Sequence, residues 1–202
     1  MLIGVLALQG AFREHQCSLE KCGVSTRQVR KPSELDDIDA LVIPGGESTT
    51  MGKLLNGFDL MKPIINLANQ GMPVFGTCAG LIMLAKHIRN SRQETLAAMD
   101  IEVERNAFGR QVDSFETDLD IPVLGNDPYR AVFIRAPYIT EVSEGVDILA
   151  RCGEKIVCAR QERFLVAAFH PELTDDLRMH HYFISLIAAK TPVSNKERGH
   201  TC

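Results

Sequence analysis

The chain has 202 residues, 45% of them hydrophobic and 24% charged, a size and balance that fit one domain with a substantial core. Its net charge of -4 speaks against a nucleic-acid surface, which needs clustered Lys and Arg, and no apolar run approaches the ~20 residues of a membrane span. The six cysteines, at 17, 22, 78, 152, 158 and 202, follow no disulfide spacing, so reduced thiols in a cytoplasmic protein are expected.

Residues 2–8 form a near-continuous apolar run with no basic segment before it, unlike a signal peptide, and read as a strand covered on both faces. Phe12, Cys17, Leu19 and Cys22 have helical spacing, and Gly23 is placed to stop that helix. A second buried strand over residues 39–43 runs into Pro44-Gly45-Gly46. Ser48 is the expected cap of a short helix to residue 55, and a further helix covers 60–70 before Gly71. A strand over 73–76 then leads to a helix over 79–88. This alternation predicts an α/β fold: an open, mostly parallel central sheet with helices on both faces. After about residue 100 short strands dominate, at 101–104, 131–134, 146–151, 155–160 and 164–169. The turns Glu144-Gly145 and Gly153-Glu154 between them predict an antiparallel extension of the sheet. A last helix is expected over 175–189 with Thr174 as its cap. Residues 1–190 are thus read as one domain, and 191–202 as a flexible polar tail.

Three motifs carry chemistry. Gly76-Thr77-Cys78-Ala79-Gly80, between a strand and a helix, has the layout of a nucleophile elbow with cysteine as the nucleophile. Its glycines leave room at a sharp turn, the helix N-terminus favours a thiolate, and the Ala79 amide is placed to donate to an oxyanion. Phe169-His170-Pro171-Glu172 follows a strand. Residues two apart in an extended segment point the same way, so Glu172 can orient the His170 imidazole as a base for Cys78. Pro44-Gly45-Gly46-Glu47-Ser48-Thr49-Thr50 lies at a strand's carboxyl end, where open α/β sheets bind ligands, and lacks the Gly-Lys-Ser/Thr ending of a phosphate loop. Taken singly, each has a plain structural reading: a buried small thiol, a satisfied histidine, a glycine-rich turn.

In this order the three motifs resemble those of the class I (triad) glutamine amidotransferases, and the resemblance covers nearly the whole chain. Leu8-Gln9-Gly10, the segment Glu104-Arg105-Asn106 with Phe108-Gly109-Arg110-Gln111, Phe133-Ile134-Arg135-Ala136-Pro137 and His170-Pro171-Glu172-Leu173-Thr174 narrow it to the glutaminase subunits of pyridoxal 5'-phosphate synthase. The resemblance implies that Gly46, Glu47, Ser48, Arg105, Ile134 and Arg135 bind L-glutamine. It places Gln9 and Gly10 with Ala79 at the rim of the oxyanion hole. It also implies a partner, the barrel-shaped synthase subunit, that receives the ammonia. Cys78 would attack the side-chain amide, His170 would protonate the leaving ammonia and activate water, and no metal or organic cofactor is called for. The other readings are a glutaminase of another pathway, a cysteine hydrolase on the same elbow, and a silent regulatory subunit. The intact triad residues speak against the last.

Overall fold

The computed structural model describes residues 1–105 and 114–189. Residues 106–111 of the Arg105 motif, the tail from 191 and Cys202 lie outside these. In chain order the strands and α-helices are β1 (Leu2–Leu6), α1 (Phe12–Lys21), β2 (Ser25–Val29), β3 (Ala40–Ile43), α2 (Ser48–Gly57), α3 (Met61–Asn69), β4 (Val74–Thr77), α4 (Ala79–Leu84), β5 (Ala85–Ile88) and β6 (Met99–Glu104). There follow β7 (Ser114–Leu119), β8 (Tyr129–Ile134), β9 (Tyr138–Val142), β10 (Asp147–Cys152), β11 (Lys155–Gln161), β12 (Phe164–Ala167) and α5 (Arg178–Ala188).

The main sheet has the order β2-β1-β3-β4-β12-β11-β9-β6-β5, with β10 paired to β11. The first five strands are parallel throughout. At β11 pairing turns antiparallel, to β12, β10 and β9, and β9 pairs antiparallel with β6, while the edge pair β6–β5 is parallel again. Helices cover both faces, as β4 shows. Phe75 and Thr77 point to His15 of α1 and to His180 and Phe183 of α5. A Cβ on Gly76 would point the other way, 2.6 Å from the Gly80 backbone of α4. Strands covered on both sides need apolar residues on both sides. Accordingly Ile3, Val5, Leu6, Leu41, Val42, Ile43, Val74 and Phe75 are fully buried.

Several boundaries differ from expectation. The helix expected to reach residue 88 stops at Leu84, because Ala85–Ile88 turns extended and pairs with β6. Lys86 and His87 are exposed there, so the local pattern is compatible with either state and tertiary pairing decides. Ser48 is the first residue of α2 and not its cap; Glu47 caps it, accepting from the Thr49 and Thr50 amides. Thr174 does not cap α5 either. Its hydroxyl goes to the Pro171 carbonyl, while Asp176 accepts from the Arg178 amide. Strands β2, β7 and β9 were not anticipated. The antiparallel pair β7–β8 stands as its own two-stranded sheet. Among the described residues, no helix is long and apolar enough to cross a membrane.

Candidate active site

Four neighbouring parallel strands end on one side of the sheet, and each supplies a loop to the same place. Gln9 and Gly10 follow β1, Gly45–Glu47 follow β3, Cys78 follows β4 and His170 follows β12. The register sets them level: Ile43 pairs with Gly76, and Ala167 pairs with Thr77. Residues far apart in sequence thus meet at the carboxyl ends of the strands, where ligands of such sheets bind.

Cys78 has φ 49° and ψ -102°, a conformation that side chains other than glycine rarely adopt. It is fixed from both ends. Its amide donates to the Ala167 carbonyl at 2.8 Å, and its carbonyl accepts the Ile82 amide at 3.3 Å. Close approach explains the flanking glycines, since a Cβ on Gly80 would lie 2.0 Å from the Ile43 carbonyl oxygen. Because α4 has only six residues, its dipole is shorter than a helix to residue 88 would provide. The sulfur lies 3.9 Å from the Ile134 carbonyl oxygen.

His170 supplies what the dipole does not. Its Nδ1 is 2.7 Å from Glu172 Oε1, which leaves Nε2 to face the thiol. Its amide donates to Val132 of β8 at 2.8 Å, locking the backbone of the motif. Burial works against the imidazolium, but hydrogen bonds and charge from Cys78 and Glu172 outweigh it, and the pKa is pushed up to about 10. Burial also opposes the Glu172 carboxylate; His15 and His170 together overcome that and hold it below its usual range. Cys78, His170 and Glu172 are thus brought together, with the imidazole between sulfur and carboxylate.

In front of Cys78 opens a cleft of about 510 Å³, within the usual range for small-molecule sites. Gly10, Gly45, Gly46, Glu47, Ser48, Cys78, Arg105, Ile134, Arg135 and His170 line it, as do Ala11, Ile82 and Leu173, to which the sequence assigns no site role. Gln9, Ala79 and Glu172 stand one layer behind. Gln9 grips the loop after β3: its amide nitrogen donates to the Glu47 carbonyl at 2.7 Å, and its oxygen accepts the Glu47 amide at 3.3 Å. Gly46, at φ +141°, makes room for that clamp, since a Cβ there would sit 3.0 Å from the Gln9 carboxamide.

The family-model comparison matches the SNO glutamine amidotransferase family over residues 5–189. The chain belongs to that family. The chain is 68% identical to pyridoxal 5'-phosphate synthase subunit PdxT of Pelotomaculum thermopropionicum, over 91% of this chain and 94% of the relative. Identity to the PdxT subunit of Desulforamulus reducens is 65%, over 93% and 100%. A solved structure described as a glutamine amidotransferase superposes with TM-score 0.88 at 47% identity, covering 92% of this chain and 98% of that one. The solved structure of PurLQS from Thermotoga maritima, 14% identical with TM-score 0.67 over 91% and 97% of the two chains, shares the fold.

Two features of this amidotransferase cleft were hidden in the sequence. Arg105 donates to Thr49 Oγ1 at 3.2 Å, Gln93 Oε1 at 2.9 Å and Ser91 Oγ at 2.8 Å. Among the described residues these partners are all neutral, so no carboxylate cancels its charge. Gln93 is the hub, since its amide also donates to the Ser48 carbonyl at 2.9 Å. Nothing in the local sequence marks it, because the cleft groups that its carboxamide joins, on Ser48, Thr49 and Arg105, lie 12 or more residues away. Second, the Glu47 carboxylate is occupied. Burial works against its charge, but the bonds from Thr49 and Thr50 together outweigh it and bring its pKa down to about 2. Arg135 sits exposed at the cleft edge with φ 43°, another rare conformation that aims it by backbone geometry. Among the described residues, no three His, Cys, Asp or Glu gather as a metal site.

Proposed function

We propose that this chain hydrolyses L-glutamine to L-glutamate and ammonia with Cys78, His170 and Glu172, as the glutaminase subunit of pyridoxal 5'-phosphate synthase. The observation that carries it is the Cys78–His170–Glu172 line at one strand-end cleft, beside an arginine whose partners among the described residues are neutral. The pathway follows from relatives named as subunits of that synthase at 68% and 65% identity over nearly their whole length.

Cys78 sulfur attacks the carboxamide carbon, forming a C–S bond. The developing oxyanion is met by the Ala79 amide at the start of α4, which as a first-turn N–H has no acceptor within the helix, and by backbone near Gly46. His170 Nε2 gives its proton to the departing nitrogen as the C–N bond breaks. It then takes a proton from water, which attacks the thioester and releases glutamate as the C–S bond breaks. Glu172 keeps the imidazole in the tautomer that these transfers need. Arg105 and Arg135 hold the α-carboxylate, while backbone carbonyls of the Gly46–Ser48 loop suit the α-ammonium. The ammonia passes to the barrel-shaped synthase subunit.

Docking of that partner works as a switch too. Gly10 lets the Gln9–Gly10 peptide present either its N–H or its C=O to the oxyanion, and partner docking selects the N–H form. Loss of one such donor costs ~10²–10³ in rate. The isolated chain is therefore expected to release glutamate slowly, and addition of the synthase subunit to accelerate it. A glutamate-release assay with and without that subunit checks both statements. Equal rates would refute the switch, and no glutamate in either case would refute the glutaminase reading.

A further inference from the structure

Behind the triad runs a polar chain that the cleft does not reach. Glu172 uses Oε1 for His170, while Oε2 lies 3.2 Å from Nε2 of His15 without a well-aligned hydrogen bond. His15 Nε2 is also 3.1 Å from the Thr77 hydroxyl, and its Nδ1 is 3.1 Å from Nε2 of His180. Both histidines are fully buried, one on α1 and one on α5, and the Phe75 ring meets each edge-on. The far nitrogen, His180 Nδ1, is buried with no partner among the described residues.

The two ends of this chain choose the same proton positions. A bare Nε2 lone pair on His15 would face the Glu172 carboxylate oxygen, so that nitrogen carries the hydrogen. Nδ1 of His15 is then an acceptor, and His180 must supply its own Nε2 hydrogen to it. That leaves His180 Nδ1 as an unpaired lone pair. The opposite assignment would leave there a buried N–H without an acceptor, the rarer and costlier kind of orphan. Charge agrees. Burial holds His15 below the usual histidine range despite the pull of Glu172, and burial with the neighbouring His15 brings His180 down to about 3.

We propose that His15 and His180 are positioning residues of the triad: a neutral imidazole pair, each protonated on Nε2, that presents an N–H edge to the second oxygen of Glu172 and holds the carboxylate toward His170. Neutrality is part of the role. A cationic His15 would compete with His170 for the carboxylate, whereas an apolar side chain would leave a buried oxygen unsupported. The role rests on the triad reading proposed above.

Two-bond proton–nitrogen correlation spectra of the chain labelled with ¹⁵N-histidine test it without any turnover. Neutral, Nε2-protonated rings for both residues are expected at neutral and mildly alkaline pH. An Nδ1-protonated or cationic His15 overturns the proposal, whatever the enzyme's activity proves to be. In steady-state kinetics with the synthase subunit present, His15→Leu should lower kcat by about 10–100-fold with little change in KM, as loss of an outer-shell partner does. His15→Gln keeps an N–H near the Nε2 position and should restore most of the rate. In a Glu172→Gln background, His15→Leu should change kcat by less than about twofold, because the group it supports is already gone. The same loss in both backgrounds, or wild-type kcat in His15→Leu, overturns the proposal. If His15→Leu does not fold, His15→Gln and the spectra decide, the expected outcome being near-normal kcat and Nε2 protonation and the overturning one their absence.

Discussion

Gly45 lies where the end of β3 meets the side chains of Cys78 and His170. A Cβ there would come 2.4 Å from His170 Cε1, 3.1 Å from its Nδ1 and 3.3 Å from the Cys78 Cβ. Gly45→Ala must therefore push the imidazole off its line between sulfur and carboxylate. Misplacement of a reacting group by about 1 Å can cost ~10²-fold, so kcat should fall by that order while the denaturant midpoint moves little. Equal kcat in Gly45→Ala and wild type would show that the ring is not held there. His170 offers a second test. Cys78 is among the groups that raise its pKa, so Cys78→Ala should abolish turnover and also lower the His170 pKa from about 10. The sign follows from removing a hydrogen bond and a charge that favour the imidazolium, and an NMR titration of His170 in the variant measures it. The grouping of Cys78, His170 and Glu172 was legible because they sit in short motifs with backbone reasons: glycines around Cys78, and a two-residue step from His170 to Glu172. Gln93, His15, Thr77 and His180 were not, because each is defined only by partners distant in sequence.

At the scale of elements, α2 begins on a carboxylate that the cleft also borrows. Both oxygens of Glu47 are taken by the first turn, at 3.0 Å from the Thr49 amide and 2.6 Å from the Thr50 amide. Glu47→Ala should cost about 1 kcal/mol of stability, the usual worth of an N-cap, read from urea unfolding near neutral pH. Its folded pKa is depressed, so this stabilisation is present above the ordinary carboxylate range and is lost as pH falls toward about 2. The gap between wild type and variant should accordingly close in acid. The elbow gives a larger effect. Gly80→Ala would drive a Cβ to 2.0 Å from a main-chain oxygen of β3, an atom that cannot swing aside as a side chain would. A loss of about 3 kcal/mol in the same unfolding measurement is expected, at the upper end for overpacking. Elements buried on both faces were readable because an apolar run leaves few alternatives. β2, with only Val29 buried, and the half-exposed β7 and β9 carry weak patterns, and the sheet assigns them. Segment 85–88 shows the same rule in reverse, since a helix-like stretch gives way to the pairing offered by β6.

Over the whole molecule, the expected parallel sheet, its antiparallel extension and the helices on both faces are all present. What composition could not show is where the extension leads. Strand β6 delivers Arg105 and β8 delivers Ile134 and Arg135, so the half of the chain without the nucleophile reaches over the cleft of the other half. Gly10, at the opposite rim, has φ +79°, and a Cβ would lie 1.8 Å from the Gly45 carbonyl oxygen. A valine at position 10 would thus dislodge the loop as well as restrict its rotation, which makes rates with and without the synthase subunit the cleaner probe of a switch. The parallel ladder has a further consequence. Its strands are spaced by backbone hydrogen bonds, which no side-chain change can stretch, so the spacing of the backbones that carry Cys78 and His170 is inherited by any chain that keeps the ladder. The arginines instead follow β6 and β8, outside the parallel strands that carry sulfur and imidazole. On the proposed reading, descent can therefore refit the mouth of this molecule to a new guest or a new neighbour while the cutting edge stays as it was.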